Sequence, residues 1–249
     1  MRLKDKVAII TGSSTKGIGY DVAKSYLREG AKVVICGVAE EDTNDARMRM
    51  LEEMPDADFL ACKVDVTKTE DVENVFKIAY EKWGHIDILV NNAGIAPYKP
   101  IEAMSDEDFN IVMNINTFGT FRCTREAVKY MKEKGGSIIN TGSFVSLYGA
   151  STQSAYTASK AAINGLTKSN AKELGKYNIR VNTIAPGVVM TSMVKDTVNQ
   201  ETVQRLNMMT PLGRAATTDD LVGLYIYLGS DESLFTTGTI INIDGGLVM

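Results

Sequence analysis

Histidine and cysteine are scarce in this sequence. Of its 249 residues, one is a histidine, His85, and three are the cysteines Cys36, Cys62 and Cys123. Because the cysteines are odd in number and widely spaced, they predict neither a disulfide framework nor a zinc knuckle. A single imidazole also makes a multi-histidine metal site and a Ser-His-Asp triad poor hypotheses. The sequence therefore predicts a protein without a bound metal.

Long apolar runs and an excess of positive charge are also missing. No stretch of the sequence approaches the roughly 18 apolar residues that a bilayer-spanning helix needs, and the apolar run at 7–10 is too short for the core of a signal peptide. With 27 Lys and Arg against 31 Asp and Glu, the formal net charge is −4, so no basic field attracts nucleic-acid phosphates. We expect a cytoplasmic protein that binds neither membranes nor nucleic acids.

Short β-branched apolar runs alternate with longer amphipathic segments along the whole sequence. This alternation is typical of a doubly wound parallel sheet with helices on both faces. The runs predict seven strands, near 7–11, 32–36, 59–64, 86–90, 137–141, 179–184 and 239–243. Helices are predicted between them, among them one long helix over 107–133. Because no repeat or linker interrupts the pattern, we predict a single α/β domain over 1–249.

A glycine-rich loop follows the first predicted strand. The segment from Gly12 to Gly19 reads GSSTKGIG and leads into a predicted helix. Glycines let the backbone turn tightly and approach phosphates closely, and the amides at a helix N-terminus bind anions. A loop with a purely structural role is the alternative interpretation. Its position between a strand and a helix favours a Rossmann-type dinucleotide site.

Two further polar turns follow predicted strands of the same sheet. Asp65 ends the third strand, and the segment from Asn91 to Gly94 ends the fourth. Because the carboxyl ends of parallel strands meet at one edge of the sheet, the three loops are expected to lie together. This arrangement predicts an extended ligand such as a dinucleotide.

These loops make the chain resemble the short-chain dehydrogenase/reductase family. The glycine loop, the acid after strand three and the Asn-Asn-Ala-Gly turn stand in the family's order, and the resemblance covers essentially all 249 residues. It implies an NAD(P)-dependent oxidoreductase that interconverts a secondary alcohol and a ketone. One departure is that four residues, rather than the three of the common pattern, separate Gly12 from Gly17.

Three groups of residues are expected to contact the cofactor. These are residues at or after the ends of the first four strands, a Tyr–Lys pair, and a later segment that resembles the family's nicotinamide-binding turn. They are Gly12, Ser14, Lys16, Gly17, Ile18, Gly19, Val38, Asp65, Val66, Asn92, Ala93, Gly94, Tyr156, Lys160, Pro186, Gly187, Val189 and Thr191. For the segment from Pro186 to Thr191, the resemblance implies contacts with the carboxamide of the nicotinamide ring. An ordinary Pro-Gly turn is the alternative there.

The choice between NAD and NADP depends on the end of strand two. An acid at that point would bind the adenosine 2′-hydroxyl of NAD and repel the 2′-phosphate of NADP. The sequence has Val38 there instead, and Lys16 could meet a 2′-phosphate as a point charge. We therefore predict NADP. NAD remains the alternative if Glu40 or Glu41 folds back toward the ribose.

A tyrosine and a lysine four residues apart form the candidate catalytic pair. Reduction of a ketone needs a proton donor, and a nearby ammonium group is expected to lower the pKa of a phenol toward neutrality. Tyr156 and Lys160 have the spacing that places both on one helix face, although two other Tyr–Lys pairs in the chain share it. Only Tyr156 has a serine thirteen residues upstream, Ser143, at the end of a predicted strand.

The family resemblance implies a role for each of four residues. Ser143 is expected to bind the substrate oxygen, Tyr156 to exchange its proton, Lys160 to tune Tyr156 and hold the ribose, and Asn116 to hold a relay water. Taken one at a time, each has a structural alternative: a turn cap, a solvated helix face or a helix kink. Their joint presence favours the catalytic interpretation.

The substrate is predicted less sharply. The segment 188–211 takes the place of the family's substrate lid, and its methionines could shape themselves around a bulky apolar ketone, either hydroxysteroid-like or a 3-oxoacyl thioester. Methionine at helical spacing is more often core, so a small polyol or sugar stays open, as does a catalytically silent nucleotide-binding regulator. Candidate substrate contacts are Val145, Tyr148, Met190 and Met193. The resemblance also implies a homotetramer.

Overall fold

Seven strands of the chain form one parallel sheet. The computed structural model describes residues 1–191 and 200–247. The strands are β1 (Val7–Ile10), β2 (Lys32–Gly37), β3 (Phe59–Lys63), β4 (Ile88–Asn91), β5 (Gly136–Thr141), β6 (Ile179–Pro186) and β7 (Ile240–Ile243). Their order across the sheet is β3-β2-β1-β4-β5-β6-β7, and every neighbouring pair is parallel. The predicted doubly wound, Rossmann-type fold is confirmed.

Helices cover both faces of the sheet. They are α1 (Ile18–Arg28), α2 (Glu40–Glu53), α3 (Thr69–Trp83), α4 (Asp106–Met113), α5 (Gly119–Met131), α6 (Val145–Tyr148), α7 (Ser154–Leu174), α8 (Gln200–Met209) and α9 (Asp219–Gly229). One apolar core packs the sheet against α1, α2 and α9, and the other packs it against α3, α5 and α7. Adjacent residues of β1 alternate between the two cores, because successive side chains of a strand point to opposite faces. The strands are therefore apolar throughout.

The long helix predicted over 107–133 is interrupted. A π-helical turn, Asn114–Phe118, separates α4 from α5. A π turn adds one residue and so shifts the apolar periodicity, but α4 and α5 are too short for this shift to be recognised in the sequence. The turn carries Asn116, one of the predicted site residues, toward the centre of the molecule, where it is fully buried.

The sheet order creates one crevice for a ligand. β1 connects outward to β2 on one side, whereas the neighbouring β4 connects to β5 on the other. Loops that leave adjacent strands in opposite directions open a gap at the carboxyl edge, and open α/β sheets bind ligands there. The glycine loop and the turn after β4 flank this gap. The fold thus brings together two segments that lie about eighty residues apart in the chain.

The described ranges contain neither a membrane-spanning helix nor a cluster of metal ligands. No helix there is both long and apolar enough to cross a membrane. Among the same residues, no group of three or more histidine, cysteine or acidic side chains is placed to hold a metal ion. All three cysteines are free thiols, with Cys36 and Cys123 buried in the sheet cores.

Candidate active site

The glycine loop is packed directly against the turn after β4. Gly12 has a left-handed backbone with φ of +62°, and a Cβ placed on it would lie 2.7 Å from the Cα of Ala93. A Cβ on Gly19 would lie 2.5 Å from both the Gly12 carbonyl oxygen and the Asn92 side-chain nitrogen. Gly17 differs, because its backbone is extended and the nearest atom to an added Cβ, on Thr191, is 3.9 Å away. Gly12 and Gly19 therefore lie where the loop closes, and Gly17 leaves space beside it.

The extra residue of the loop is absorbed at its start. The Ser13 amide donates to the carbonyl of Cys36 at 2.8 Å, and its hydroxyl accepts from the Cys36 amide at 2.9 Å, so Ser13 continues the contact between β1 and β2. Ser14 is buried, with its side chain in the space above Gly37. Ser14, a predicted cofactor contact, therefore faces the sheet. The exposed residues 15–16 take its place at the crevice.

The crevice contains a cavity of about 230 Å³. The residues that line it are Gly12, Thr15, Lys16, Gly17, Ile18, Gly19, Asn92, Ala93, Gly94, Ile95, Ala96, Thr141, Tyr156, Lys160 and Thr191. We call this cavity the nucleotide groove. Eleven of its lining residues were predicted from the sequence, whereas Thr15, Ile95, Ala96 and Thr141 were not.

Hydrogen bonds fix the two loops that flank the nucleotide groove. The hydroxyl oxygen of Thr11 accepts from the amides of Asn92 at 3.0 Å and Ala93 at 3.1 Å. The side-chain amide of Asn92 donates in turn to the carbonyl of Gly12 at 2.8 Å. The side-chain amide of Asn92 therefore holds the glycine loop to β4, and the backbone shape of the groove is set before any ligand binds.

Seven predicted cofactor contacts lie outside the lining of the groove: Ser14, Val38, Asp65, Val66, Pro186, Gly187 and Val189. Val38 follows β2 and is exposed. The carboxylate of Asp65 accepts from the amide of Thr67 at 2.9 Å and from its hydroxyl at 2.7 Å. Partial burial would raise the pKa of Asp65, but these bonds hold it below its ordinary value. Val66 is buried against Gly119. Contacts between these residues and a cofactor stay predictions.

Lys160 lies buried on α7 at the floor of the groove. Its ammonium nitrogen donates to the carbonyl oxygen of Thr141 at 2.7 Å and lies 5.7 Å from the centre of the Tyr156 ring. Burial lowers the pKa of Lys160 to about 8. The ammonium group is thus held beside the phenol at neutral pH, at a cost in solvation.

Tyr156 does not have the lowered pKa that the sequence led us to expect. Burial raises its pKa above the ordinary value for a phenol, and a hydrogen bond from the side chain of Ser143 opposes this shift only in part. The physical reason is that removing a phenolate from water costs more than the nearby polar groups return. The phenol is therefore protonated at neutral pH, as a proton donor has to be.

Asn116 connects the turn after β4 to α7. Its side-chain oxygen accepts from the amide of Ile95 at 2.9 Å, and its side-chain nitrogen donates to the carbonyl of Ile95 at 3.0 Å. The same nitrogen donates to the hydroxyl of Ser159 at 3.0 Å, which donates to the carbonyl of Tyr156 at 2.7 Å. Both N–H groups of the amide are used within the protein. A role in holding a relay water stays a prediction.

Buried polar side chains also tie the strands together beneath the site. The Asn91 amide donates to the side-chain oxygen of Asn140 at 2.8 Å, and Asn140 donates to the hydroxyl of Thr167 at 2.9 Å. The hydroxyls of Thr167 and Thr183 lie 2.7 Å apart. This chain of bonds runs from β4 through β5 and α7 to β6. It fixes the position of α7, which carries Tyr156, relative to the sheet.

A second cavity, of about 260 Å³, adjoins the groove. Its lining residues are Ala96, Tyr98, Ser143, Phe144, Val145, Ala150, Ser151, Gln153, Tyr156, Gly187, Val188, Val189, Thr202 and Leu206. We call it the substrate cavity. Ala96 and Tyr156 line both cavities. Within the described ranges, no charged side chain lines the substrate cavity.

The predicted substrate residues are divided by the structure. Val145 is buried and lines the substrate cavity. Tyr148 is 60% exposed, and neither it nor Met190 lines the cavity. Met193 lies outside the described residues. Tyr98 and Gln153 line the substrate cavity but were not predicted from the sequence. No sequence signal shows that the turn after β4 and the start of α7 bring them together.

The segment after β6 contributes to both cavities. The carbonyl of Pro186 accepts from the amide of Phe144 at 2.9 Å, which joins this segment to the loop that carries Ser143. Gly187 and Val189 line the substrate cavity, whereas Thr191 lines the nucleotide groove. The segment therefore crosses the boundary between the two cavities.

A glycine loop at the switch point of a doubly wound sheet, with a buried Tyr–Lys pair beside it, defines an oxidoreductase that uses a nicotinamide dinucleotide and acts on alcohols or ketones. A family model described as enoyl-(acyl carrier protein) reductase matches residues 12–248. The chain belongs to the short-chain dehydrogenase/reductase family. Members of this family use NAD or NADP.

Several known proteins are similar over their whole length. The chain is 40% identical over 246 residues to the 3alpha-hydroxysteroid dehydrogenase of Mediterraneibacter gnavus, covering 98% of each chain. It is 39% identical over 255 residues to the 3-oxoacyl-[acyl-carrier-protein] reductase FabG of Thermotoga maritima, covering 100% of each. A solved structure from Agrobacterium tumefaciens, provisionally described as a gluconate dehydrogenase, is 32% identical with a TM-score of 0.93, over 99% of this chain and 98% of the other.

Proposed function

We propose that the protein reduces a bulky apolar ketone with NADPH, or oxidises the corresponding alcohol, through Ser143, Tyr156 and Lys160. The observation that carries this proposal is the position of Tyr156, which is a wall of both cavities. A group at that position can touch a substrate on one side and lie beside a nicotinamide on the other. The division of labour among these residues is part of the proposal.

The groove fits a dinucleotide. Gly12 and Gly19 allow the loop to close where side chains would collide, and Gly17 leaves open space. Backbone amides at the start of α1 would hold the pyrophosphate, while Lys160 and Thr191 lie where they would hold the nicotinamide end. When bound, the cofactor supplies or accepts the hydride. The protein supplies orientation and the proton.

In the reduction direction, the hydroxyl of Tyr156 donates its proton to the substrate oxygen. The hydroxyl of Ser143 donates a second hydrogen bond to the same oxygen and polarises the carbonyl. The ammonium of Lys160 stabilises the phenolate that remains, because an opposite charge nearby favours the ionised form. Asn116 keeps α7 in place through Ser159.

We infer a preference for NADP over NAD from two features of the groove. Lys16 lines it, and β2 ends at Gly37 and Val38 without an acid. Wild-type kcat/KM should favour NADPH, and Lys16→Ala should lower the NADPH/NADH ratio about tenfold, as expected for the loss of a charge-assisted contact. Lys134→Ala, in the turn after α5, is the matched control. A wild-type preference for NADH would overturn this choice.

The neutral lining of the substrate cavity favours an apolar substrate. Val145, Val189 and Leu206 supply apolar surface, and two relatives carry names that denote a hydroxysteroid and a 3-oxoacyl carrier-protein substrate. A polyol or sugar is the second candidate, favoured by the structural likeness to the protein from Agrobacterium tumefaciens. A panel of steroid ketones, 3-oxoacyl thioesters and sugars, followed by the absorbance of reduced nicotinamide, separates these classes. Cofactor binding without turnover on any of them would indicate a silent regulator instead.

We further propose a single-domain homotetramer in the cytoplasm, with a substrate lid over 188–211. Free thiols are typical of a reducing compartment. Phe118 and Phe121 are exposed near the junction of α4 and α5, and Phe235 is fully exposed before β7. Two separate apolar faces on one chain suit a tetramer with two kinds of interface. Phe118→Asp and Phe235→Asp should each give dimers in light scattering, and tetramers from both variants would contradict the proposal.

A further inference from the structure

We propose that Gln153 recognises the substrate by binding a second, uncharged polar group, a carbonyl or hydroxyl, close to the reacting carbonyl. This inference rests on the proposed function, since it takes the cavity beside Tyr156 to be the substrate site. It adds a selectivity residue that the sequence analysis did not identify. The evidence is the place of Gln153 in the cavity lining, the lack of a side-chain partner among the described residues and the chemistry of that cavity.

Gln153 lines the substrate cavity with only 6% of its surface exposed, and its side-chain amide is not among the polar groups sealed in the core. Its backbone is well bonded: the amide donates to the carbonyl of Ala150 at 3.3 Å, and the carbonyl accepts from the amide of Thr157 at 2.8 Å. Its side chain does not cap α7, although Gln153 occupies the cap position. Among the described residues, no side-chain hydrogen bond of Gln153 is formed.

Other buried amides of the protein behave differently. The side-chain nitrogens of Asn116, Asn140 and Asn182 each donate to a protein oxygen, the last to the carbonyl of Thr236 at 2.8 Å. The Gln153 amide has no such partner among the described residues and lines a cavity, so it is placed to bind a ligand there.

The position of Gln153 relates it to the reaction centre. It occupies the N-cap position of α7, three residues before Tyr156. Both side chains line the substrate cavity, together with Ser143. A ligand group bound by Gln153 would therefore lie near the oxygen that Ser143 and Tyr156 bind.

The chemistry of the cavity defines what that group is. An amide can donate to a carbonyl oxygen or accept from a hydroxyl, and it does not neutralise a charge. The described residues of the cavity offer no charged side chain that would balance a carboxylate or phosphate. A ketone with a second neutral oxygen would satisfy Gln153. A ketone without one would leave the amide without a ligand partner, so the cavity should favour the ketone that carries the second oxygen.

The test compares two ketones of equal chain length that differ in one ester group. Ethyl 3-oxobutanoate has a second carbonyl one methylene away from the ketone, and 2-heptanone has methylenes in place of the ester group. We expect the wild type to favour the ester in kcat/KM. Gln153→Met, which keeps the length of the side chain, should lower the ester/ketone ratio about tenfold through the KM of the ester. Gln153→Glu, which loses the amide donor when ionised, should lower it as well.

Controls and contrary outcomes are distinct. Lys172→Met, on the exposed side of α7, should leave the ratio unchanged. An unaltered ratio in Gln153→Met would overturn the proposal. So would an equal loss of kcat with both ketones, because Gln153 would then only position Tyr156. If Gln153→Met fails to fold, as judged by circular dichroism and NADPH affinity, Gln153→Glu is used for the same comparison.

A binding measurement separates this inference from the proposed function. Calorimetry of ethyl 3-oxobutanoate added to the enzyme with bound NADP needs no turnover. We expect the Kd to rise about tenfold in Gln153→Met, and equal Kd values in wild type and variant would overturn the role of Gln153. Absence of turnover by the wild type, together with this difference in Kd, would refute the proposed reaction and leave the recognition role standing.

Discussion

The nucleotide groove and the substrate cavity share a wall at Tyr156, but the first is lined mainly by backbone and the second mainly by side chains. The groove is formed largely by backbone, in loops where glycine is required and where side chains such as Asn92 bond to the protein itself. The substrate cavity is formed by side chains from α6, α7, α8 and the segment after β6. One cavity is therefore specified by chain geometry, and the other by residue identity.

This difference indicates which property a substitution in each cavity should change. In the nucleotide groove, adding a single methyl group changes the backbone path or fills the space of the ligand, so stability and cofactor binding respond. In the substrate cavity, a substitution changes which substrate is preferred while the fold tolerates it. Tyr156 and Lys160 lie between the two, and changes there should affect the reaction itself.

The largest effect is expected at the shared wall. Tyr156→Phe removes the proposed proton donor and should lower kcat about a thousandfold, within the usual range for loss of a general acid. Nucleotide binding should change little, because the ring remains. Single-turnover kinetics and NADPH fluorescence titration measure the two quantities. Wild-type kcat in this variant would remove Tyr156 from the mechanism.

Lys160 should make stability depend on pH in a way that its replacement removes. The pKa of Lys160 is about 8 in the folded protein, against an ordinary value of 10.5. At a pH between these two values, the unfolded chain still holds a proton that the folded protein has lost. Raising the pH favours the state with fewer protons, and the folded state gains about 3 kcal/mol across this window. Below pH 8 both states are protonated and the penalty is constant.

Denaturant unfolding of the cofactor-free protein at several pH values tests this effect. The unfolding free energy of the wild type minus that of Lys160→Met should rise as the pH increases from 8 to 10, because only the wild type gains stability from losing this proton. Taking the difference cancels the titration of other groups. A difference that stays level over this range would mean that Lys160 has an ordinary pKa in the folded state.

Replacing two glycines of the same loop should affect different properties, stability at Gly19 and cofactor affinity at Gly17. Gly19→Ala places a methyl group 2.5 Å from the Gly12 carbonyl oxygen, which should cost about 1–3 kcal/mol of unfolding free energy. Gly17→Ala meets nothing within 3.9 Å and should leave stability within about 0.5 kcal/mol. Its methyl group would occupy the groove, so NADPH affinity should fall about tenfold. Equal melting temperatures for both variants would contradict the packing described above.

The smallest effect is expected at Tyr148. Its side chain is 60% exposed and lies outside the lining of the substrate cavity, so Tyr148→Ala should change kcat/KM by less than about twofold for any substrate. Val145→Ala, inside the cavity, is the matched comparison and should alter the preference among apolar ketones. A large loss in Tyr148→Ala would show that the cavity extends beyond its described lining.

Much of the fold could be predicted because its signals are local. Strands buried on both faces are apolar at nearly every position, as in β1 and β6, and their bounds agree with the prediction to within two residues. The π turn at Asn114–Phe118 could not be predicted, because the helices on either side are too short to reveal the shift in apolar periodicity that it causes. The burial of Ser14 was equally hidden, since it depends on the space above Gly37 in a different strand.

By itself, the sequence determined the order of the strands and helices, the glycines of the phosphate loop and the spacing of Tyr156 and Lys160 on one helix face. Each of these depends on residues that are close together in the chain. The tertiary structure alone decided which side chains line the substrate cavity, why the pKa of Tyr156 is raised and that Gln153 is buried without a partner. These properties depend on burial and on contacts between distant segments, and both exist only once the sheet has brought those segments together.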